Sequence, residues 1–257
     1  MIKPYFETKL GKLYCGDCFE IMPTIPNKFI DMILCDLPYG TTACKWDTII
    51  PFELLWKQYK RIIKDNGAIV LTASQPFTSA LVMSNIKMFK YCWYWEKERL
   101  TNIAQVKRRA GKTVEECVIF YKKQPVYNPQ MVKYVGKIRT NKVKNGVMGI
   151  LTDNNTKKVK EYKDNGFRYP TQVLKIQRDT LKSNLHPTQK PVALFEYLIK
   201  TYTNEGDLVL DNCAGSGTTG VACKNLNRKF MLIEKEEKYC EIATKRILLE
   251  ASQGKLW

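Results

Sequence analysis

Asp207-Leu208-Val209-Leu210-Asp211-Asn212-Cys213-Ala214-Gly215-Ser216-Gly217-Thr218-Thr219-Gly220 is the stretch that decides the fold. A short apolar run ends in an acid and opens into a glycine-rich turn, which is the pattern of a buried strand and its exit loop. Val221-Ala222-Cys223 then continue as a helix, and Lys229-Phe230-Met231-Leu232-Ile233 reads as a second strand ending at Glu234. Strand, turn, helix and strand in this order form the repeating unit of an α/β sheet. Ligands of such sheets sit beyond the carboxyl ends of the strands. The glycines let the main chain approach a ligand closely, and the following helix offers its N-terminus.

The same alternation extends outward. Phe29–Cys35 is an apolar run that ends at Asp36. Residues 52–64 have helical spacing, with Asp65-Asn66-Gly67 as the stop signal. Ala68–Thr72 reads as a strand, a helix follows from about Pro76, and Phe89–Trp95 and Cys117–Tyr121 are further strands rich in aromatic and β-branched residues. Val192–Tyr202 is an amphipathic helix beginning after Pro191, and a last helix runs from about Glu237 to Ala251. No internal repeat is present. The expectation is an α/β fold with a mainly parallel sheet.

The glycine turn by itself admits two cofactor classes. Gly215-x-Gly217-x-x-Gly220, with Glu234 on the next strand to hold ribose hydroxyls, satisfies the dinucleotide fingerprint, so a nicotinamide-dependent oxidoreductase is a rival at this point. A tight turn with no ligand is the bland alternative. Asp211 tilts the balance towards S-adenosylmethionine, because a carboxylate there attracts an ammonium group and repels a pyrophosphate.

Asp36-Leu37-Pro38-Tyr39-Gly40 closes another strand on the same rim. Proline and glycine suit a simple β-turn. The residues also suit a specific chemistry. The exocyclic amine of a nucleobase is a poor nucleophile, since its lone pair is delocalised into the ring. Two acceptors aimed at its N–H bonds favour the pyramidal nitrogen that can attack a methyl sulfonium. The Asp36 carboxylate and the Leu37 carbonyl are the candidates, Tyr39 can stack on an extruded base, and Pro38 stiffens the turn. No Pro-Cys dipeptide occurs in the chain, which argues against the cysteine nucleophile of cytosine-C5 chemistry.

Taken together, the motifs resemble the DNA amino-methyltransferases in the beta arrangement, in which the catalytic motif precedes the cofactor motif. Asp36-Leu37-Pro38-Tyr39 is similar to the Asp-Pro-Pro-Tyr catalytic motif, and Asp211 to Thr219 to the cofactor glycine motif. His186-Pro187-Thr188-Gln189-Lys190-Pro191 resembles the family segment at the methionine end of the cofactor, and Gly16-Asp17 the position whose acid meets the cofactor's adenine. The resemblance implies a Rossmann-like methyltransferase fold: a mainly parallel seven-stranded sheet with helices on both faces and a basic insertion. It implies residues 1–130 as the catalytic half, 131–182 as a target-recognition insertion and 183–257 as the cofactor-binding half. The implied cofactor set is Asp17, Asp36, His186, Gln189, Lys190, Pro191, Asp211, Ala214, Gly215, Ser216, Gly217, Thr218, Thr219 and Glu234. Leu37 departs from the family's first proline, but its role uses a main-chain atom. An acid at the first position is commoner among adenine enzymes of this family, while many N4-cytosine enzymes carry serine, so N6 of adenine is the expected target and N4 of cytosine the alternative.

Composition agrees with a nucleic-acid partner. The 257 residues carry a formal charge of +17, an excess that attracts polyanions. Residues 131–182 hold ten Lys and three Arg against four acids, a net +9, and lack long apolar runs. The resemblance implies that Lys133, Lys137, Arg139, Lys157, Lys158 and Arg168 in this segment, with Lys107, Arg108, Arg109 and Lys112 upstream, are contacts to double-stranded DNA. A solvated basic face, or a catalytically silent DNA-binding protein, is the plainer reading of the same charge. Of nine cysteines only Cys15 and Cys18 form a C-x-x-C, and His186 is the single histidine, so no metal is expected. The start of the chain has no apolar signal core and no run reaches the ~20 residues of a membrane span. The expectation is a cytoplasmic protein, and the resemblance allows a homodimer.

Overall fold

The computed structural model describes residues 2–41, 47–136, 165–179 and 189–249. The described chain divides into two compact units, Met1–Asn128 with Gln172–Trp257, and Pro129–Thr171. The larger unit contains β1 (Phe6–Glu7), β2 (Gly11–Cys15), α1 (Cys18–Ile21), β3 (Ile30–Asp36), α2 (Phe52–Ile62), β4 (Ile63–Ala73), α3 (Phe77–Ser84), β5 (Phe89–Glu96) and β6 (Val114–Phe120). The smaller unit supplies β7 (Val132–Lys133) and β8 (Phe167–Arg168). The larger resumes with β9 (Val173–Lys175), α4 (Val192–Tyr202), β10 (Leu208–Asp211), α5 (Thr218–Asn225), β11 (Lys229–Glu234) and α6 (Glu237–Leu249).

One sheet organises the larger unit, in the order β1-β2-β11-β10-β3-β4-β6-β5-β9. Its seven central strands are the expected sheet, flanked by a two-residue and a three-residue edge strand. From β2 to β4 every pairing is parallel. Among the seven central strands β6 alone runs against its neighbours, β4 and β5, and the edge strand β1 pairs antiparallel with β2. Side chains alternate across the sheet as the period of two requires. On β3, Met32 and Leu34 enter one apolar cluster, and Ile33 and Cys35 the other. The first cluster is closed by α4, α5 and α6 through residues such as Leu198, Val221 and Ile247. The second is closed by α2 and α3 through Leu55, Trp56, Tyr59 and Phe77. Helices therefore cover both faces.

α2 shows how the pattern becomes structure. Leu55, Trp56, Tyr59 and Ile62 are buried at helical spacing, while Lys60 and Arg61 sit in the last turn, where they suit the dipole. Fully burying a side chain of this size contributes roughly 1.5–3 kcal/mol. The helix ends two residues earlier than its spacing predicts. Ile63 is extended, its amide closes on the Tyr59 carbonyl, and it pairs with Ile30 of β3. Asp65-Asn66-Gly67 thus lies inside a bulged β4 and does not separate helix from strand. Gly67 permits this, because a Cβ there would stand 2.7 Å from the Asp31 carbonyl oxygen.

The three residues of β9 fall inside the segment expected as an insertion, yet they pair with β5 of the main sheet, from Tyr94↔Val173 to Glu96↔Lys175. Among the described residues of the smaller unit, Val132 pairs with Arg168 and Lys133 with Phe167. The Arg168 guanidinium lies 4.3 Å above the Tyr134 ring. Among the described residues no helix is long and apolar enough to cross a membrane.

Candidate active site

Five parallel strands end on one rim, and three of them carry an acid as their last residue, in the expected places. β3 ends at Asp36, β10 at Asp211 and β11 at Glu234, while Gly16 and Asp17 follow β2. Because strand order reverses around β10, the exit loops of β3 and β10 part and leave a crevice. A cleft of about 710 Å³ occupies it, in the range of small-molecule sites. Asp17, Asp36, Leu37, Pro38, Tyr39, Gln189, Lys190, Asp211, Ala214, Gly215, Ser216, Thr218 and Glu234 all line it.

Three expected cofactor residues support the cleft from behind. Pro191 caps α4, and Gly217 caps α5 with a φ of +80° that favours glycine. A Cβ at Gly217 would also lie 2.7 Å from that of Ala243. Thr219 donates its hydroxyl to Asp211 Oδ2, and the Cys213 amide donates to Asp211 Oδ1 at 3.0 Å. Asp211 is 2% exposed. Burial pushes its carboxyl up to about 7, although these hydrogen bonds oppose the rise. Burial also raises Glu234, whose Oε2 accepts from the Gly215 amide at 2.7 Å and whose Oε1 accepts from the Glu236 amide at 2.9 Å. Each oxygen keeps a lone pair for a ligand hydroxyl. Asp17 caps α1 through the Phe19 amide at 2.9 Å.

The Asp36 carboxylate is the most heavily engaged group on the rim. Its Oδ1 accepts from the Tyr39 hydroxyl at 2.9 Å and from the Thr72 hydroxyl, and the Lys190 ammonium lies 2.7 Å from each of its oxygens. The single Tyr39 hydroxyl proton is shared between Asp36 and the Thr72 hydroxyl, 3.0 Å away, and the Tyr39 ring stacks on Phe77 with centroids 5.1 Å apart. The turn is tied down by Asp47, which accepts from the amides of Gly40 and Thr41 at 2.9 Å each. Lys190 is buried. Burial alone would lower its ammonium, but Asp36 and Glu115 outweigh that and leave it raised. Glu115, at the start of β6, is 3.7 Å from Lys190 and pairs with buried Lys97.

The cofactor turn and the catalytic turn are mechanically joined. Ser216 donates to Gln189 Oε1 at 3.4 Å, and Thr218 donates to the Lys190 carbonyl at 3.5 Å. Arg246 donates to the Ser216 carbonyl and hydroxyl at 2.8 Å each. Across the cleft floor, the Tyr59 hydroxyl donates to Asn212 Oδ1 at 2.5 Å. Burial holds the nearby thiols protonated, with Cys18 pushed up to about 12. Among the described residues no group of three or more His, Cys, Asp or Glu is placed to hold a metal ion.

Lys107, Arg108 and Arg109 are exposed at the tip of a loop between β5 and β6. Its neck is pinched by Thr101 N–H to the Lys112 carbonyl at 2.9 Å and Lys112 N–H to Asn102 Oδ1 at 2.6 Å. Lys112 turns inward and donates to Ser74, so it differs from its three neighbours. Lys133 and Arg168 belong to the small β7–β8 sheet. His186, Lys137, Arg139, Lys157 and Lys158 lie outside the described residues. Thr72, Asp47, Phe77, Glu115, Lys97 and Arg246 carry no motif. Strand register brings Thr72 opposite Asp36, a relation that no local pattern encodes.

Known proteins resemble this chain in sequence and in fold. The type II methyltransferase M2.LlaDCHI of Lactococcus lactis subsp. cremoris is 28% identical, over 99% of this chain and 95% of its own length. The DNA adenine methyltransferase YhdJ of Escherichia coli (strain K12) is 27% identical, over 94% of this chain and 84% of its own. Among solved structures, the M1.HpyAVI–SAM complex superposes with a TM-score of 0.62 at 26% identity, covering 92% of this chain and 99% of that one. The PvuII cytosine-N4-specific DNA methyltransferase, at 18% identity and a TM-score of 0.69, shares the fold. The model of the DNA methylase family N6_N4_Mtase matches residues 30–245, from β3 into α6, and so spans both the Asp36 turn and the glycine turn. The chain belongs to the N6/N4 DNA methylase family.

Proposed function

We propose that the protein is a site-specific DNA methyltransferase that moves the methyl group of S-adenosylmethionine to N6 of an adenine extruded from duplex DNA. The observation that carries this reading is the shared cleft. The Asp36–Tyr39 turn and the acid-ended strands β10 and β11 open onto the same space.

The residues present fit the cofactor. Glu234 has lone pairs to spare for the ribose hydroxyls, and Asp17 stands at the adenine end. Asp211 serves the ammonium end, and Gln189 lines the same cleft. When bound there, the cofactor supplies an electrophilic methyl on a sulfonium. The chain's own work is to prepare the nucleophile. Asp36 and the Leu37 carbonyl accept the two N–H bonds of the target amine, each needing about 2.7–3.2 Å. This holds the nitrogen pyramidal and its lone pair directed at the methyl. Tyr39, pre-stacked on Phe77, offers the base a platform worth roughly 1–3 kcal/mol. No covalent enzyme intermediate is required, in keeping with protonated thiols around the cleft.

The acid at position 36 and the adenine methyltransferase among the relatives support adenine over cytosine. The exposed Lys107–Arg109 loop and the basic segment 131–182 supply phosphate contacts, which fix affinity and register while base contacts specify sequence. The test is transfer from labelled S-adenosylmethionine to unmethylated duplex DNA, followed by nucleoside mass spectrometry. N6-methyladenine is expected. N4-methylcytosine would keep the mechanism and reassign the base, and no label in any DNA would overturn the reading.

A further inference from the structure

The Asp36 carboxylate can meet a substrate amine at one oxygen only. Among the described residues, Oδ1 already accepts from Tyr39, Thr72 and Lys190, and Oδ2 accepts from Lys190. An incoming N–H finds an open lone pair only at Oδ2, directly beside the Lys190 ammonium that holds the other. That ammonium cannot simply leave. Stripping a buried charge of its partner without providing another is strongly unfavourable.

A second acceptor lies within reach. Glu115 Oε2 is 3.7 Å from Lys190 Nζ. It is buried and makes no hydrogen bond among the described residues. A movement of about 1 Å would bring the ammonium into hydrogen-bond range of it. Glu115 itself is pinned. Its Oε1 accepts from Lys97, which is 8% exposed and lies 4.8 Å over the Trp95 ring. Two carboxylates and two ammonium groups thus alternate along the line Asp36, Lys190, Glu115, Lys97, and the ammonium of Lys190 sits between two acids of which only one is fully bonded.

We infer that Glu115 is a positioning residue for the methyl-transfer step: it takes over the Lys190 ammonium as the target amine engages Asp36 Oδ2. The inference rests on Asp36 being the acceptor for the amine, as in the functional reading above. Glu115 touches neither substrate nor cofactor in this scheme and acts through Lys190. It serves the step after both ligands are bound, so removing its charge slows turnover and leaves binding alone.

The experiment compares wild-type protein with Glu115→Gln in single-turnover methyl transfer from labelled S-adenosylmethionine to duplex DNA, with cofactor affinity by calorimetry and DNA affinity by titration. A glutamine keeps the shape but offers no charge to draw the ammonium away. The expected result is a rate at least tenfold lower at saturation, with both affinities within twofold of wild type. Because Glu115→Gln leaves Lys97 unbalanced, the double variant Lys97→Gln/Glu115→Gln is measured beside it. That variant removes one charge of each sign and is expected to show the same loss. A saturated rate within twofold of wild type in either folded variant overturns the inference, as does a loss found only in the affinities. If wild type methylates DNA while the variants match it, this inference alone fails. If wild type transfers no methyl to DNA, the functional reading fails and takes this one with it.

Discussion

Replacing Asp211 by asparagine separates what this residue costs the fold from what it contributes to binding. The carboxyl is buried and its pKa is raised from 3.8 to about 7. An acid whose folded-state pKa exceeds its unfolded value leaves stability intact below the unfolded value, and that stability is lost as pH rises through the folded value. Here the window is pH 4 to 7. At about 1.4 kcal/mol per pKa unit, the full loss is about 4 kcal/mol. Asparagine does not ionise, and its side chain can still accept from the Cys213 amide and engage the Thr219 hydroxyl. The stability of Asp211→Asn relative to wild type should therefore grow by about 4 kcal/mol between pH 4 and pH 8. For a chain of this size, at roughly 2–4 °C per kcal/mol, the gap in melting temperature should widen by about 10 °C. Binding should move the other way. The ionised carboxylate attracts the cofactor's ammonium, so Asp211→Asn should bind S-adenosylmethionine at least tenfold more weakly at pH 8. Wild-type affinity should fall as pH drops below 7, because binding must then expel a proton. The assay is thermal melting of both proteins from pH 4 to 9, with calorimetric titration at each pH. A melting gap that stays flat across this range would refute the buried-charge argument. Equal cofactor affinity at pH 8 would refute the role at the ammonium end.

Asp36→Ala should reduce methyl transfer by a factor of 10² to 10³ or more, as loss of a preorganised electrostatic contact does. Cofactor affinity by calorimetry should largely persist, and near-normal turnover would contradict the mechanism. DNA affinity should fall steeply with salt through counterion release, with a slope of about −0.9 per phosphate contact. Converting Lys107, Arg108 and Arg109 together to alanine should flatten that slope by about 2–3, and an unchanged slope would remove the loop from the DNA surface. Gly217→Ala places a Cβ 2.7 Å from that of Ala243 at a φ of +80°. About 2–4 kcal/mol should be lost, seen as a melting temperature lower by roughly 5–15 °C.

Legibility of the chain follows from where the determining contacts lie. α4 begins after Pro191 and runs over Val192–Tyr202 as its spacing predicts, because proline and the apolar period are both local. β10 and β11 are equally plain, each a short apolar run ending in an acid. The α2–β4 junction is misplaced by the pattern because Ile62 and Ile63 serve a helix or a strand alike. Pairing of Ile63 with Ile30 decides between them, and that contact spans the whole of α2. β1 and β2 carry no strong alternation and exist because β2 pairs with β11 at the sheet's edge. The site divides the same way. Asp36, Asp211 and Glu234 are read directly, since each follows its own strand. Thr72 and Glu115 become visible only through register, with Asp36 opposite Thr72, Thr72 opposite Cys117, and Trp95 opposite Glu115.

The charge of the protein and the charge of its cleft have opposite signs, and the contrast bears on how two dissimilar ligands are sorted. The chain carries +17 overall. Yet among the described residues Asp17, Asp36, Asp47, Asp211, Glu234 and Glu236 line the cleft against only Lys190 and Lys235. A polyanion is drawn to the basic surface, where Lys107, Arg108 and Arg109 stand exposed. On the proposed function, an acid-lined interior would repel phosphates, keep the DNA backbone outside and admit a neutral base. The same acids attract a cofactor that bears a sulfonium and an ammonium. On the proposed function, these acids would hold the sulfonium-bearing cofactor more strongly than the neutral thioether left after transfer. Lys190 is the exception in this acidic interior. Its ammonium compensates the Asp36 carboxylate that lines the cleft.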